Sequence, residues 1–332
     1  MPQIDEVPEG YELRAVSVED APVIAGLINE CTFAEIGAPW TDEEETRDEL
    51  TSPGRDNAYD DALLLASDGT PVGYLQLWAD IAPFTELEAT AYVRPRLWGN
   101  GLSAWLLRVG EERARGKLHL APPGERVVLQ VPRFAENEPA GRLFASLGYE
   151  YARTFWMMRI ELEDAPPPPR VPDGIGIRSF ELGRDERALH AAFSEAFAEH
   201  WGSPFPSFEQ WSHFDLEGEG SGFDPSLWFL AVDGDEVVGA ACCRASTARA
   251  EDTAQVNDLA VRKRWRRRGV GLALLRAAFG ELHRRGILRA ELGVDSENAT
   301  GATRLYEGAG MRLAYAWEFW EKELRPATSP DA

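Results

Sequence analysis

The run Val261–Leu275, "VRKRWRRRGVGLALL", decides how this chain is read. It places six basic residues in the seven positions from Arg262 to Arg268, within a chain whose formal net charge is −22. Such a run is ordinarily a solvated cluster or a nucleic-acid patch. Here it leads straight into Gly269-Val270-Gly271 and an apolar helical pattern, so the choice lies between a DNA-binding arm and a cradle for a smaller phosphate. A strongly acidic protein repels a nucleic-acid backbone except at one local patch. No helix-turn-helix, zinc-finger or RNA-binding signature accompanies the run, which favours the small phosphate. An acidic surface also favours the approach of a cationic acceptor such as an amine.

Around the run, Leu259-Ala260-Val261 ends a buried strand and Arg266–Gly271 forms a turn. The following "VGLALLRAAFGELHRRG" is an amphipathic helix with Leu272, Leu275, Ala278, Phe279 and Leu282 on one side. A strand that feeds a glycine turn at a helix N-terminus leaves several N–H groups unpaired and pointing the same way, with the helix dipole behind them. Pyrophosphate fits such a site, and glycine at 269 and 271 lets the backbone approach the oxygens with no Cβ in between.

Further out, "EDAPPPPRVPDG" at 163–174 is a stiff proline-rich connector that divides the 332 residues nearly in half. The two halves repeat one order of features. "YELRAVSVEDAPVIAGLI" answers "IGIRSFELGRDERALHAAF", each a strand and then a helix, with Ser17–Asp20 as a capping box. Asp-Gly hairpins follow at 63–77 and 228–243. A strand, a glycine turn and a helix come next in both halves, and then a helix that ends at glycine before a last strand. Arg14 to Arg178 is 164 positions, Gly73 to Gly239 is 166, Val93 to Val261 is 168 and Gly148 to Gly310 is 162. The chain is therefore an internal duplication of an α+β unit, each half a central mixed sheet flanked by helices. The expected divisions are 1–164, a linker at 165–174, a second domain at 175–326 and a tail at 327–332.

Arg266-x-x-Gly269-x-Gly271 resembles the acetyl-CoA signature of the GCN5-related N-acetyltransferases, the GNAT family. "NATGATRLYEGAGM", with Asn298, Leu305, Tyr306, Gly310 and Met311, resembles that family's later helix. The match covers 175–324 fully and 11–162 less completely, and the tandem layout with "AFAEHWG" resembles the mycothiol synthases and their actinobacterial relatives. The resemblance implies that acetyl-CoA is bound by Leu259, Ala260, Val261, Arg266, Arg267, Arg268, Gly269, Val270, Gly271 and Asn298. A backbone N–H on the 259–261 strand would then polarise the thioester carbonyl, and basic side chains would pair with the coenzyme A phosphates. Asn298 has a second reading as a helix N-cap.

Tyr306 is the candidate acid for the leaving thiolate, since a phenol of pKa about 10 donates without being ionised at neutral pH. Asp258 is the first candidate base for the acceptor ammonium, with Glu199 and His200 as further acceptor-side candidates. The aromatic stretch 199–227 reads either as a lid over the acceptor or as core packing. The expected reaction is direct transfer of acetyl from acetyl-CoA to a primary amine of a small molecule. Alternatives are the cysteinyl-aminosugar acceptor of mycothiol synthase, or an acetyl-CoA-binding regulatory module that does not turn over. The first half is expected to be silent, because Trp98 stands at the place of Arg266, Ser103 at that of Gly271 and Phe144 at that of Tyr306.

The bulk numbers agree with a well-packed globular chain: 44% hydrophobic residues, 27% charged and 11 Trp. Three cysteines, Cys31, Cys242 and Cys243, are too few and badly placed for a disulfide framework or a zinc site, and read as buried hydrophobes. His200 and His213 show no metal-ligand spacing. Without an 18-residue apolar run or a basic-then-apolar start, a cytoplasmic location is expected, with no membrane or nucleic-acid partner, as monomer or homodimer.

Overall fold

The computed structural model describes residues 6–202, 205–218, 222–246, 250, 252–298 and 301–328. In the first half the elements run β1 (Tyr11–Ala15), α1 (Ala21–Ile36), α2 (Glu43–Leu50), α3 (Asn57–Asp60), β2 (Ala62–Ala66), β3 (Pro71–Trp78), β4 (Glu86–Val93), α4 (Leu102–Gly116), β5 (Val127–Phe134), α5 (Glu138–Ser146) and β6 (Glu150–Glu161). The second half repeats them as β7 (Gly176–Ser179), α6 (Glu186–Phe197), α7 (Phe208–Ser212), β8 (Trp228–Asp233), β9 (Glu236–Arg244), β10 (Thr253–Val261), α8 (Val270–Arg284), β11 (Arg289–Asp295), α9 (Ala302–Ala309) and β12 (Arg312–Arg325).

The duplication is visible in matching contacts. Gly73 pairs with Val93 and Gly239 with Val261, each across an antiparallel ladder. Arg14 grips Asp20 and Arg178 grips Asp185 through two hydrogen bonds each. The Asp-Gly turns carry Gly69 and Gly234 at positive φ, the conformation that closes a tight hairpin on twisted strands. Ser17 and Asp20 form the expected capping box, on a short 3-10 turn that continues into α1.

The compact units differ from the halves predicted by the connector. One unit comprises Met1–Arg153 and Trp317–Ala332, and the other begins at Thr154 and runs to Ala316. The reason lies in the two longest strands, β6 of 12 residues and β12 of 14. Residues 155–161 of β6 pair antiparallel with β11, and residues 317–325 of β12 pair antiparallel with β5. Each half therefore donates its last strand to the sheet of the other. Unit 1 has the order β1-β2-β3-β4-β5-β12 and unit 2 the order β7-β8-β9-β10-β11-β6, with β4–β5 and β10–β11 the parallel steps. Leu324 from β12 is buried in a core with Leu77, Leu107 and Leu129, and Met158 from β6 in a core with Phe193, Leu274 and Phe279.

Candidate functional site

In unit 2, β10 and β11 are paired for only three residues each, Thr253–Gln255 against Arg289–Glu291, and then part. Beyond that point β10 stays bonded to β9 alone, up to Val261 opposite Gly239. The Arg262 N–H turns toward β9 and donates to the Val238 carbonyl at 2.8 Å. By the alternation of an antiparallel ladder, the N–H of Val261 and that of Leu259 point away, into the opening. This is an unpaired strand edge that an extended, amide-bearing molecule can join.

The opening ends at the turn before α8. Gly269 is the N-cap at φ 87, with no side chain capping the helix, so the first N–H groups of α8 lack partners. A Cβ built on Gly269 meets nothing within 4 Å, which leaves room for a ligand at that point. Gly271 has a different job. A Cβ there would come within 3.3 Å of Leu305 Cδ1, so this glycine allows α9 to close on the start of α8. Arg267 holds φ 60, a conformation that non-glycine residues adopt at a cost.

The six basic residues divide in two. Arg262 pairs with Glu195 and Glu236, Lys263 pairs with Glu199 at 2.7 Å and Arg264 lies over the Trp265 ring. The Arg266 guanidinium donates to the Val261 carbonyl at 2.9 Å and to the Ala196 carbonyl at 2.8 Å, and so holds the turn in shape. Arg267 and Arg268 are exposed, and among the described residues no ion pair engages them. These two are the side chains free to meet a phosphate. Trp98 Nε1 donates to the Val93 carbonyl at 2.6 Å, the same bond as that of Arg266 to Val261, which places Trp98 as its structural counterpart. Gly101 likewise caps α4 at φ 83, as Gly269 caps α8.

Glu199 belongs to this turn as well. Lys263 bonds it and Arg266 stands 3.6 Å away, which holds its carboxyl below the usual range. A carboxylate so engaged is a poor proton acceptor. His200 packs edge-on to Phe197 with ring centres 4.8 Å apart. Burial and the neighbouring Arg266 lower its pKa, which favours the neutral ring.

Asp258 sits on β10 just past a bulge, where the register against β9 slips between Val256 and Asp258. The extra residue re-aims the strand. Facing it is Asp215, carried on a five-residue π-turn, His213–Glu217, a geometry common at functional sites. The turn is fastened by Arg244, whose guanidinium donates to the Phe214 carbonyl at 3.3 Å, and by Ser212, whose hydroxyl donates to Glu217 at 2.5 Å. Burial raises the pKa of Asp258, Asp215 raises it further, and Arg244 opposes both. Burial raises Asp215 too, against Arg244 and a hydrogen bond from Asn257. Two enclosed carboxyls that share one guanidinium hold their protons above the ordinary carboxylate range. Asp215, Asn257 and Arg244 were not legible in the sequence, since a π-turn has no periodicity and the two acids lie 43 positions apart.

Tyr306 lies on α9, only 7% exposed, and burial pushes its phenol up to about 12. Among the described residues no hydrogen bond takes up its hydroxyl. Met311 N–H closes on the Tyr306 carbonyl at 3.0 Å, as Tyr149 N–H closes on that of Phe144, so Phe144 does stand at the tyrosine's place in unit 1. Asn298 is not the cap of α9. Gly301 is, at φ 83. Of the aromatic stretch, Trp211 is buried and Phe205 and Phe208 pack on the core of unit 2. Residues 203–204 and 219–221 lie outside the described residues. Cys31, Cys242 and Cys243 are buried free thiols. Among the described residues no helix is long and apolar enough to cross a membrane.

The residues at the turn fit acetyl-CoA: a free helix N-terminus for pyrophosphate, two exposed arginines and a strand edge for an amide-bearing arm. Comparison with known proteins agrees. The sequence model of the Acetyltransferase (GNAT) family matches twice, at 24–149 and 188–311. The mycothiol acetyltransferase of Thermobispora bispora is 33% identical over 256 residues, 75% of this chain and 79% of the relative. That of Geodermatophilus obscurus is 30% identical over 298 residues, 87% and 89% of the two chains. The crystal structure of a GCN5-related N-acetyltransferase from Sphaerobacter thermophilus superposes with a TM-score of 0.78 at 36% identity, covering 97% of this chain and 98% of the other. A tandem GNAT protein from the clavulanic acid biosynthesis pathway shares the fold, with a TM-score of 0.71 at 19% identity and 96% and 100% coverage. With two family matches in tandem on a duplicated fold, the chain belongs to the GNAT family of acetyl-CoA-dependent acetyltransferases.

Proposed function

We propose that unit 2 transfers acetyl from acetyl-CoA to the primary amine of a small molecule by direct attack, and that unit 1 carries no transfer chemistry. The observation that carries this is Asp258, an enclosed carboxyl just past the bulge of the strand whose free edge leads to the α8 turn. Acetyl-CoA supplies the activated acyl group. The chain's part is to bind its phosphates at the Gly269 turn through main-chain N–H groups and Arg267 and Arg268, and to hold its arm against β10. A strand N–H in 259–261 is a fixed dipole for the carbonyl oxygen as charge develops there.

An amine arrives as an ammonium and must lose a proton before it attacks. Asp258, its pKa raised toward the working range by burial and by Asp215, accepts that proton directly or through water. Tyr306, protonated at neutral pH, is the acid for the departing thiolate. Asn298 is assigned to the pantetheine arm, and His200 to the acceptor side. Phe144 at the corresponding place in unit 1 has no proton to give. The relatives named mycothiol acetyltransferase favour a second, narrower reading, in which the acceptor is a cysteinyl aminosugar.

The test is a screen of the purified protein with acetyl-CoA against aminosugars, cysteinyl aminosugars, polyamines, amino acids and peptide N-termini, read as amine-dependent thiol release. Turnover with one class selects the acceptor. Cofactor binding without turnover on any amine would make the chain a regulatory module.

A further inference from the structure

The register of β3 and β4 sets Tyr74 opposite Tyr92, Gln76 opposite Thr90 and Trp78 opposite Glu88, so these six residues share one face of the unit 1 sheet. That face is covered by α1 and α2, with Tyr74 buried among Ile24, Leu27, Ile28 and Leu50 and Tyr92 packed beside them. Most of its polar groups are satisfied. The Tyr74 hydroxyl donates to Asp61 at 3.0 Å, the Gln76 amide donates to Glu49 on α2 at 2.8 Å, and Arg55 grips Asp61 while lying 4.1 Å from the Trp78 ring centre.

Glu88 is different. Protein surrounds it, it keeps a partly accessible surface, and among the described residues no hydrogen bond or ion pair reaches it. Its charged neighbour is Glu49, which repels it. Burial first and that neighbour second push the Glu88 carboxyl up to about 7, and burial does the same to Glu49. One pleat along the same face, Glu86 Oε2 is fully buried with no partner. Arg94, six residues along the chain from Glu88, pairs with Glu30, and Arg55, which is held by Asp61, opposes the rise of Glu49 but does not act on Glu88. A buried carboxylate such as Glu88, with a second carboxylate as its charged neighbour and no cation acting on it, is costly and asks for a donor.

We propose that unit 1 holds a ligand site of its own, in which Glu88 and Glu49 bind the ammonium group of a small primary amine. An ammonium brings three donors and no acceptor. Glu88, Glu49 and the Tyr92 phenol, which no hydrogen bond reaches among the described residues, are acceptors to match. The half-buried Tyr92 ring, stacked at 6.2 Å on the fully buried Tyr74, gives the ligand's apolar stem a wall. A metal ion is a worse fit, because no three His, Cys, Asp or Glu side chains converge among the described residues. The place on the fold is telling as well. Thr90 opposite Gln76 in unit 1 occupies the position of Asp258 opposite Cys242 in unit 2, and the acid has moved two residues along the strand to Glu88. With Phe144 in place of the acid Tyr306, the site holds an amine without acylating it.

The experiment measures binding of glucosamine and of ethylammonium to the full chain at pH 8 by calorimetry, without acetyl-CoA, with N-acetylglucosamine as the uncharged control. Glu88→Gln, Glu49→Gln and Asp258→Asn variants are compared with the parent after their melting temperatures show that they are folded. The expected result is amine binding that survives Asp258→Asn and weakens at least tenfold in Glu88→Gln or Glu49→Gln, with no binding of the control. Binding that Asp258→Asn abolishes while both glutamine variants bind like the parent would overturn the proposal. So would no binding of either amine, since the two carboxyls would then simply share a proton. Because acetyl transfer is not measured, a failure of the transfer reading leaves this result unaffected.

Discussion

The roles proposed for Tyr306 and Asp258 draw on opposite uses of burial. Burial pushes the Tyr306 phenol up to about 12, so it stays protonated across the working range and can serve as a donor. Tyr306→Phe keeps the ring and its packing, so turnover is expected to fall on the order of a hundredfold at unchanged acetyl-CoA affinity. A fully active variant would leave Tyr306 a packing residue with no part in proton transfer. For Asp258 burial works with Asp215 to raise the carboxyl, so as the proposed base it would be protonated at low pH and available only as pH climbs through its raised value. The rate should therefore rise with pH above the ordinary carboxylate range, and Asp258→Asn should both lower it by a factor of about 10²–10⁴ and flatten that limb. An unchanged pH profile in the Asn variant would assign the proton to another acceptor. Both are candidates that the sequence offers, one from its motif and one from its place on the strand. What sets the Asp258 pKa was not legible there, because Asp215 and Arg244 reach it through folding alone.

At the scale of elements, the strand, turn and helix around Gly269 followed from the sequence because glycine spacing and amphipathic period are local signals. The bulge beside Asp258 did not, since a single extra residue leaves the alternation of a short strand almost intact. The roles within the basic run also needed the structure. Composition treats six basic residues alike, whereas Arg266 is spent on the Val261 and Ala196 carbonyls and Arg267 and Arg268 are exposed. Arg266→Ala should thus cost at most about 1.5–3 kcal/mol of charge-assisted bonding, read as a lower melting temperature, and weaken acetyl-CoA binding through a loosened turn. The Arg267→Ala, Arg268→Ala pair should leave the melting temperature nearly unchanged, weaken acetyl-CoA at least tenfold, and reduce the salt dependence of that binding. Equal thermal losses in the two variants would contradict this division. Trp98 supports it independently, because an uncharged ring performs the Arg266 bond at Val93.

For the whole molecule, the duplication was plain from repeated features at nearly constant offset, but the exchange of last strands was not. Alternation tells which face of a strand is apolar and says nothing about which neighbour it pairs with. The one available hint was length, since β6 and β12 have 12 and 14 residues against 7 to 9 in the central strands. The consequence is testable by cutting the proline-rich connector. Were each half self-contained, 1–168 and 169–332 would fold separately and part on a sizing column. With the exchange, the first fragment lacks the strand that covers β5, and the second lacks the strand that covers β11. Each alone would leave a sheet edge unpaired and a core open, the condition under which strands aggregate. Co-expressed, the two fragments should elute as one species with a single melting transition and retain acetyl-CoA binding. Produced apart, both should be insoluble or molten, with little near-ultraviolet circular dichroism. Two separately folded monomers would refute the exchange, and they would also make the connector, rather than the Arg153/Thr154 division, the true boundary of the domains.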